Sequence, residues 1–173
     1  WERGAPESVR LLAGGRESSL SAVALGGSVP TPAGGLTAPV IELHSLAELK
    51  TADVKGKIVF FNRPMRPQDV QPGTAYGGAG DQRNQGPGEA GKYGAVGALT
   101  RSLTHSLDDV PHTGNTSYPP DGPRIPAAAL STLAADALSA ARKAAPDARG
   151  TLAIHAQWFD RALSHNVIGE IRG

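Results

Sequence analysis

The chain contains no cysteine and a single methionine in 173 residues. Lacking cysteine, it has no disulfide staples, thiol nucleophile, iron–sulfur cluster or Cys-containing zinc site. No charge of one sign dominates, because 17 Lys and Arg face 16 Asp and Glu for a formal net charge of +1. The basic residues are scattered singly, so neither nucleic acid nor an anionic membrane surface is an expected partner. No apolar run approaches the roughly 18 residues that would span a bilayer. The three tyrosines, Tyr76, Tyr93 and Tyr118, are not interleaved with basic residues and form no stacking platform for single strands.

Turn formers are abundant, with 22 glycines and 14 prolines. That content is high for a helical protein and implies many turns between short strands. The start at Trp1, without an initiator Met or signal core, and the end at Gly173 after an apolar run suggest an excised piece. The length suits one domain, or one domain with arms.

Along the chain, residues 8 to 12 suggest one strand within an N-terminal arm, and Leu20–Leu25 suggests a strand entering a Pro- and Gly-rich loop at 30–35. Val40 and Ile41 resume a strand. Ser45 followed three residues later by Glu48 has capping-box spacing and predicts a short helix. Lys57–Asn62 is a β-branched and aromatic run expected to be buried on both faces. Residues 64–88 lack apolar periodicity and are expected to form a long loop. Pro87 can open a helix that Gly94 ends, with a strand following at 95–99. Ser131 is placed to cap a helix whose Ala134, Leu138, Ala141 and Ala145 share a face, with Pro146 as its stop. Residues 151–158 and 165–171 are expected to close the fold as strands. No internal repeat is present. The sum is a mixed α/β (α+β) fold: a sandwich or flattened open barrel of about seven or eight strands flanked by two or three short helices.

Chemistry-bearing motifs are sparse. The five histidines, His44, His105, His112, His155 and His165, lack the spacing of a catalytic metal site. Asp108, Asp109, His112 and nearby serines could be drawn as a triad, but no G-x-S-x-G elbow is present, and the aspartates read better as turn formers before Pro111. The glycine cluster at 77–80 matches neither phosphate-loop pattern and reads as flexible linker. Asn115-Thr116-Ser117 fits a glycosylation acceptor and implies an exposed loop.

An ordered set of segments, however, resembles a known family. They are Trp1-Glu2-Arg3-Gly4 with Glu7-Ser8; Gly27-Ser28-Val29, Thr31-Pro32 and Gly35-Leu36-Thr37-Ala38; Gly56-Lys57-Ile58-Val59 through Asn62; Arg83 with Gln85-Gly86; and Lys92-Tyr93-Gly94-Ala95 with Arg101-Ser102. Pro111-His112-Thr113-Gly114, Tyr118, Ile125-Pro126 to Ser131 and Asn166-Val167-Ile168-Gly169-Glu170-Ile171 continue it. Together they resemble the protease-associated domain of zinc exopeptidases, above all that inserted into the plasma glutamate carboxypeptidase (carboxypeptidase Q) family and its bacterial aminopeptidase relatives. The chain departs from the family in a longer, more Gly-rich 64–80 segment and in Gly91, where a small helix former is usual.

The resemblance implies three parts: residues 1–18 as an arm from the catalytic domain, 19–164 as the protease-associated domain, and 165–173 as a strand returning to that catalytic domain. It implies that the two zinc ions, their five ligands and the general-base Glu belong to the parent, so the piece alone is expected to be non-catalytic, with no metal or cofactor of its own. Expected partners are the parent catalytic domain and, through it, peptide substrates, in an extracellular or periplasmic setting. Substrate-access candidates are His112, Thr113, Gly114 and Tyr118, because a Pro-flanked loop offers imidazole, hydroxyl, backbone N–H and phenol together. A second expectation is an interaction or homodimerisation module, prompted by the long loop and by Trp1, Trp158 and Phe159 near the ends.

Overall fold

Strand β5 (Ile58–Phe61) shows how the molecule is layered. Its Ile58 and Phe60 enter one apolar core while Val59 and Phe61 enter another, and all four are sealed from solvent. A strand alternates its side chains, so a run of four large apolar residues can serve two cores at once. The computed structural model describes residues 1–171. It arranges β1 (Ser8–Ala13), β2 (Arg16–Leu20), β3 (Ala22–Ala24), β4 (Leu36–Leu43), β5, β6 (Gly97–Arg101), β7 (Ala127–Leu130) and β8 (Arg149–Ala153) in one eight-stranded sheet. The order is β2-β1-β8-β4-β5-β6-β7-β3. The edge strands β2 and β3 are separated in sequence only by Ser21, so the sheet must curl until its edges approach. The result is a nearly closed barrel with a few short helices, the mixed α/β class expected from the sequence.

Strands β4 to β7 run parallel, whereas β8, β1 and β3 pair antiparallel with their neighbours. Helix α4 (Thr132–Ala144) buries Ala134, Ala135 and Leu138 against the first core. Ser131 caps it as expected, its Oγ accepting from the Ala134 N–H at 2.9 Å. Helix α3 (Gly86–Lys92) begins with Pro87 in its first turn and packs Ala90 into the second core. Gly94, at φ +84°, follows as the chain turns into β6.

The structure differs from expectation in several places, among them the strand expected at 151–158, which runs over Arg149–Ala153. The stretch 64–88 is not a loop throughout: it contains α1 (Pro72–Ala79), α2 (Asp81–Asn84) and the start of α3. Helix α1 packs only Ala75 and Ala79 against Met65 and Leu103, and α2 is fastened by polar bonds between Gln82 and the Arg63 backbone, at 3.0 and 2.6 Å. Neither device leaves a pattern of large apolar residues. Residues 46–50 form a 3-10 turn, and the Ser45–Glu48 pair acts in the reverse sense: Ser45 Oγ donates to the Glu48 carboxylate, which also accepts from the His44 N–H. Residues 165–171 are exposed and outside any strand, having no sheet neighbour to supply the ladder bonds a strand needs; 172 and 173 of that expected strand lie outside the described residues. The strand expected at 8–12 is present as β1, but it is followed, after Gly14 and Gly15 at φ +55° and +74°, by β2, which was not expected. Two consecutive positive-φ residues make the turn whose twist suits a two-residue hairpin.

Candidate functional site

The segment between β6 and β7 carries the residues singled out from the sequence. Its backbone is stitched to the sheet at several points. The His112 N–H donates to Ser102 Oγ at 2.7 Å, and Thr113 Oγ1 donates to the Ala24 carbonyl at 3.1 Å. Gly26 and Asn115 form a parallel bridge, with the Gly26 N–H on the Gly114 carbonyl and the Thr116 N–H on the Gly26 carbonyl. Gly114 lies against Arg83: a Cβ added there would come within 2.4 Å of the guanidinium carbon. Arg83 in turn donates to the Tyr76 hydroxyl and lies 5.1 Å from that ring's centre. His112 and Thr113 are exposed beside this node.

Tyr118 is engaged elsewhere, its hydroxyl donating to the Ile125 carbonyl at 2.5 Å. Burial pushes its phenol up to about 12. The Asp109 carboxylate accepts from Ser131 Oγ at 2.6 Å and from Ser21 Oγ at 2.7 Å, which lower its pKa below the ordinary value. Asp108 accepts from the Val110 N–H, as a turn-forming aspartate does. The aspartates thus tie the loop to Ser21, between β2 and β3, and to the start of α4. Among the described residues no group of three or more His, Asp or Glu side chains comes together to hold a metal ion. The described residues do not supply the donor set of a two-metal centre.

A polar crevice of about 560 Å³ opens where β4, β5 and β6 finish beside α4. The carboxyl ends of parallel strands are a recurrent place for ligands, because each strand delivers its next side chain to one rim. Here they deliver Glu42, Asn62 and Arg101. The buried Glu42 carboxylate accepts from Asn62 Nδ2 at 2.6 Å and from Ser139 Oγ at 2.9 and 3.0 Å, with Arg142 at 3.6 Å. Arg101 Nη1 donates to Asp136 at 2.6 Å and to Asn62 Oδ1 at 3.3 Å. His44 completes the rim, with Nδ1 2.9 Å from the Asn62 carbonyl and Nε2 3.8 Å from Glu42. The sequence reasoning missed this site. A signal existed in Asn62 and Arg101, polar residues that close two apolar strand runs.

The flanking segments meet at the opposite pole. Strand β8 runs antiparallel to β4, so its last residues lie beside the start of β4, and Ser8 pairs with Ala153. Beyond them Glu2 and Gln157 exchange two backbone hydrogen bonds of 2.8 Å. Arg124 lies 5.8 Å from the Trp158 ring centre, and Trp158 approaches Gly27. From Trp158 onward the described chain is exposed, including Leu163, Val167, Ile168 and Ile171.

The barrel with its parallel centre and adjacent flanks is of a class found as a segment of exopeptidases. One solved structure, a peptidase M28 precursor from Shewanella amazonensis SB2B, matches with a TM-score of 0.80 and 31% identity, over 87% of this chain and 34% of that one. A zinc aminopeptidase from Bacillus subtilis matches with a TM-score of 0.53 and 26% identity, over 87% of this chain and 31% of that one. Among curated proteins, the chain is 37% identical over 175 residues to carboxypeptidase Q of Xenopus laevis, covering all of this chain and 35% of that protein. The resemblance to carboxypeptidase Q and its bacterial relatives is thus borne out along the chain, which spans about a third of their length. No protein-family model matches.

Proposed function

We propose that the chain is the protease-associated domain of a secreted, zinc-dependent exopeptidase, and that it acts on substrate access rather than on bond cleavage. The observation that carries this reading is the end-to-end match to a third of carboxypeptidase Q, in a fold whose flanking segments run side by side at Glu2 and Gln157. Paired flanks let a module sit within a longer chain at little cost to its host. In the parent enzyme, bound metal ions would supply an activated water and polarise the scissile carbonyl. This chain's part is steric and positional. A module with a rigid sheet, held beside the pocket, limits substrate length and keeps water out. The exposed His112 and Thr113, on a loop pinned by Arg83 and Ser102, would contact the substrate, with Gly114 and Tyr118 holding the loop's shape.

The experiment is kinetic. His112→Ala in the full-length enzyme should lower turnover or change the preference among dipeptides with zinc content unchanged. Unaltered kinetics across a dipeptide panel would remove the access role. A second reading, a dimerisation module, is favoured by the exposure of Trp158 and Phe159 together with Val167, Ile168 and Ile171. It prevails if deleting the domain changes oligomeric mass while leaving substrate range untouched.

A further inference from the structure

The crevice at the end of β4, β5 and β6 lies at the pole of the sheet away from the paired flanks. Its chemistry is asymmetric. The Glu42 carboxylate is already supplied with donors by Asn62, Ser139 and Arg142, and Asp136 is paired with Arg101. The cations are less fully used. Both Arg101 hydrogen bonds leave from Nη1, so its Nε and Nη2 are not engaged among the described residues. Arg142 spends Nε on the Val40 carbonyl at 2.7 Å. Lys143 stands exposed on the rim without a carboxylate partner among the described residues. Three cations therefore face two carboxylates, and Arg101 and Lys143 keep donors that no carboxylate among the described residues takes up.

We propose that this crevice binds a small carboxylate, in the class of an N-blocked amino acid or short peptide. A guanidinium presents parallel N–H groups that match the two oxygens of a planar carboxylate, and Arg101 is held in place by Asp136 and Asn62 before any ligand arrives. A blocked amine is specified because the three cations outnumber the two carboxylates, so a ligand of net negative charge complements the crevice better than a zwitterion does. The crevice, about 560 Å³, lies within the range of small-molecule sites. The site stands whether or not the access role does, since its ligand is tested without peptidase activity.

The test is a titration of the isotope-labelled protein followed by amide and arginine Nε–H resonances, with N-acetylglycine, its neutral amide and inorganic phosphate as probes. N-acetylglycine should shift the Arg101 and Arg142 side-chain signals and the His44 amide, saturating in about the millimolar range. The neutral amide should leave them unmoved. Arg101→Gln should weaken binding about tenfold or more. Because Arg101 is buried and that variant could misfold, Lys143→Gln, at an exposed position, provides a second reading: about a threefold loss with an unchanged circular-dichroism spectrum. Equal shifts with the neutral amide, tighter binding of phosphate, shifts centred elsewhere, or a Lys143→Gln variant that binds as the parent does would each overturn the assignment.

Discussion

Tyr118 joins burial, a hydrogen bond and a measurable pH dependence in one side chain. Its hydroxyl sits on the Ile125 carbonyl, and burial raises its pKa from 10.0 to about 12. In the unfolded chain the phenol loses its proton near pH 10, so between about pH 10 and 12 the unfolded state binds fewer protons than the native one. The stability tied to this group is whole below about pH 10 and is lost as pH rises towards 12. Tyr118→Phe should flatten that alkaline decline in urea unfolding curves; a variant retaining the parent's slope would assign the decline to another group. Asp109 works in the opposite sense, since hydroxyl donors from Ser131 and Ser21 favour its charged form. Its contribution is present above the ordinary carboxylate pKa and fades as pH falls through the depressed one. Neither partnership was visible in the sequence, where Asp109 read as a solvated turn residue and Tyr118 as part of an exposed loop.

At the scale of elements, α4 depends on a cap with two attachments. Ser131 Oγ accepts from the Ala134 N–H and donates to Asp109, so one hydroxyl fixes both the helix start and the loop before β7. Ser131→Ala should cost about 1–2 kcal/mol in urea unfolding, and Ser131→Thr much less, because a threonine hydroxyl can make both bonds. Equal losses in the two variants would show that the cap is not the cause. This helix was legible because its cap, apolar face and Pro146 stop are all local. Strand β5 was legible for a similar reason, as its unbroken apolar run announces burial on both faces. Strand β2 was not, because Arg16-Glu17-Ser18-Ser19 has no apolar alternation and is held by its pairing with β1 beyond the Gly14–Gly15 turn. Helices α1 and α2 escaped notice because alanines and a glutamine, rather than large apolar residues, anchor them.

At the scale of the whole molecule, the folded body ends at the Glu2–Gln157 pairing. Past Trp158 the described residues are exposed and lie outside any helix or strand, and Arg161 is among them. Trypsin should therefore cut after Arg161 before it cuts within the barrel, leaving a product with the parent's circular-dichroism spectrum and a melting temperature within about 2 °C. Early cleavage inside β4 to β7, or loss of sheet signal with the tail, would mean that the tail is part of the cooperative unit. This pairing lies at one pole of the sheet, and the strands deliver Glu42, Asn62 and Arg101 to the other.

The sequence by itself determined the class of fold, the strands that are buried throughout and the capped helix, since each of these rests on neighbours within a few residues. Its ordered segments also determined kinship with carboxypeptidase Q, because those matches run in register along the chain. Only the tertiary structure decided that Glu42, Asn62 and Arg101, separated by 20 and 39 positions, would share one crevice. The physical reason is the parallel order β4-β5-β6, which brings three strand ends to a single rim, where Ser139 of α4 donates to Glu42 and Asp136 of α4 accepts from Arg101.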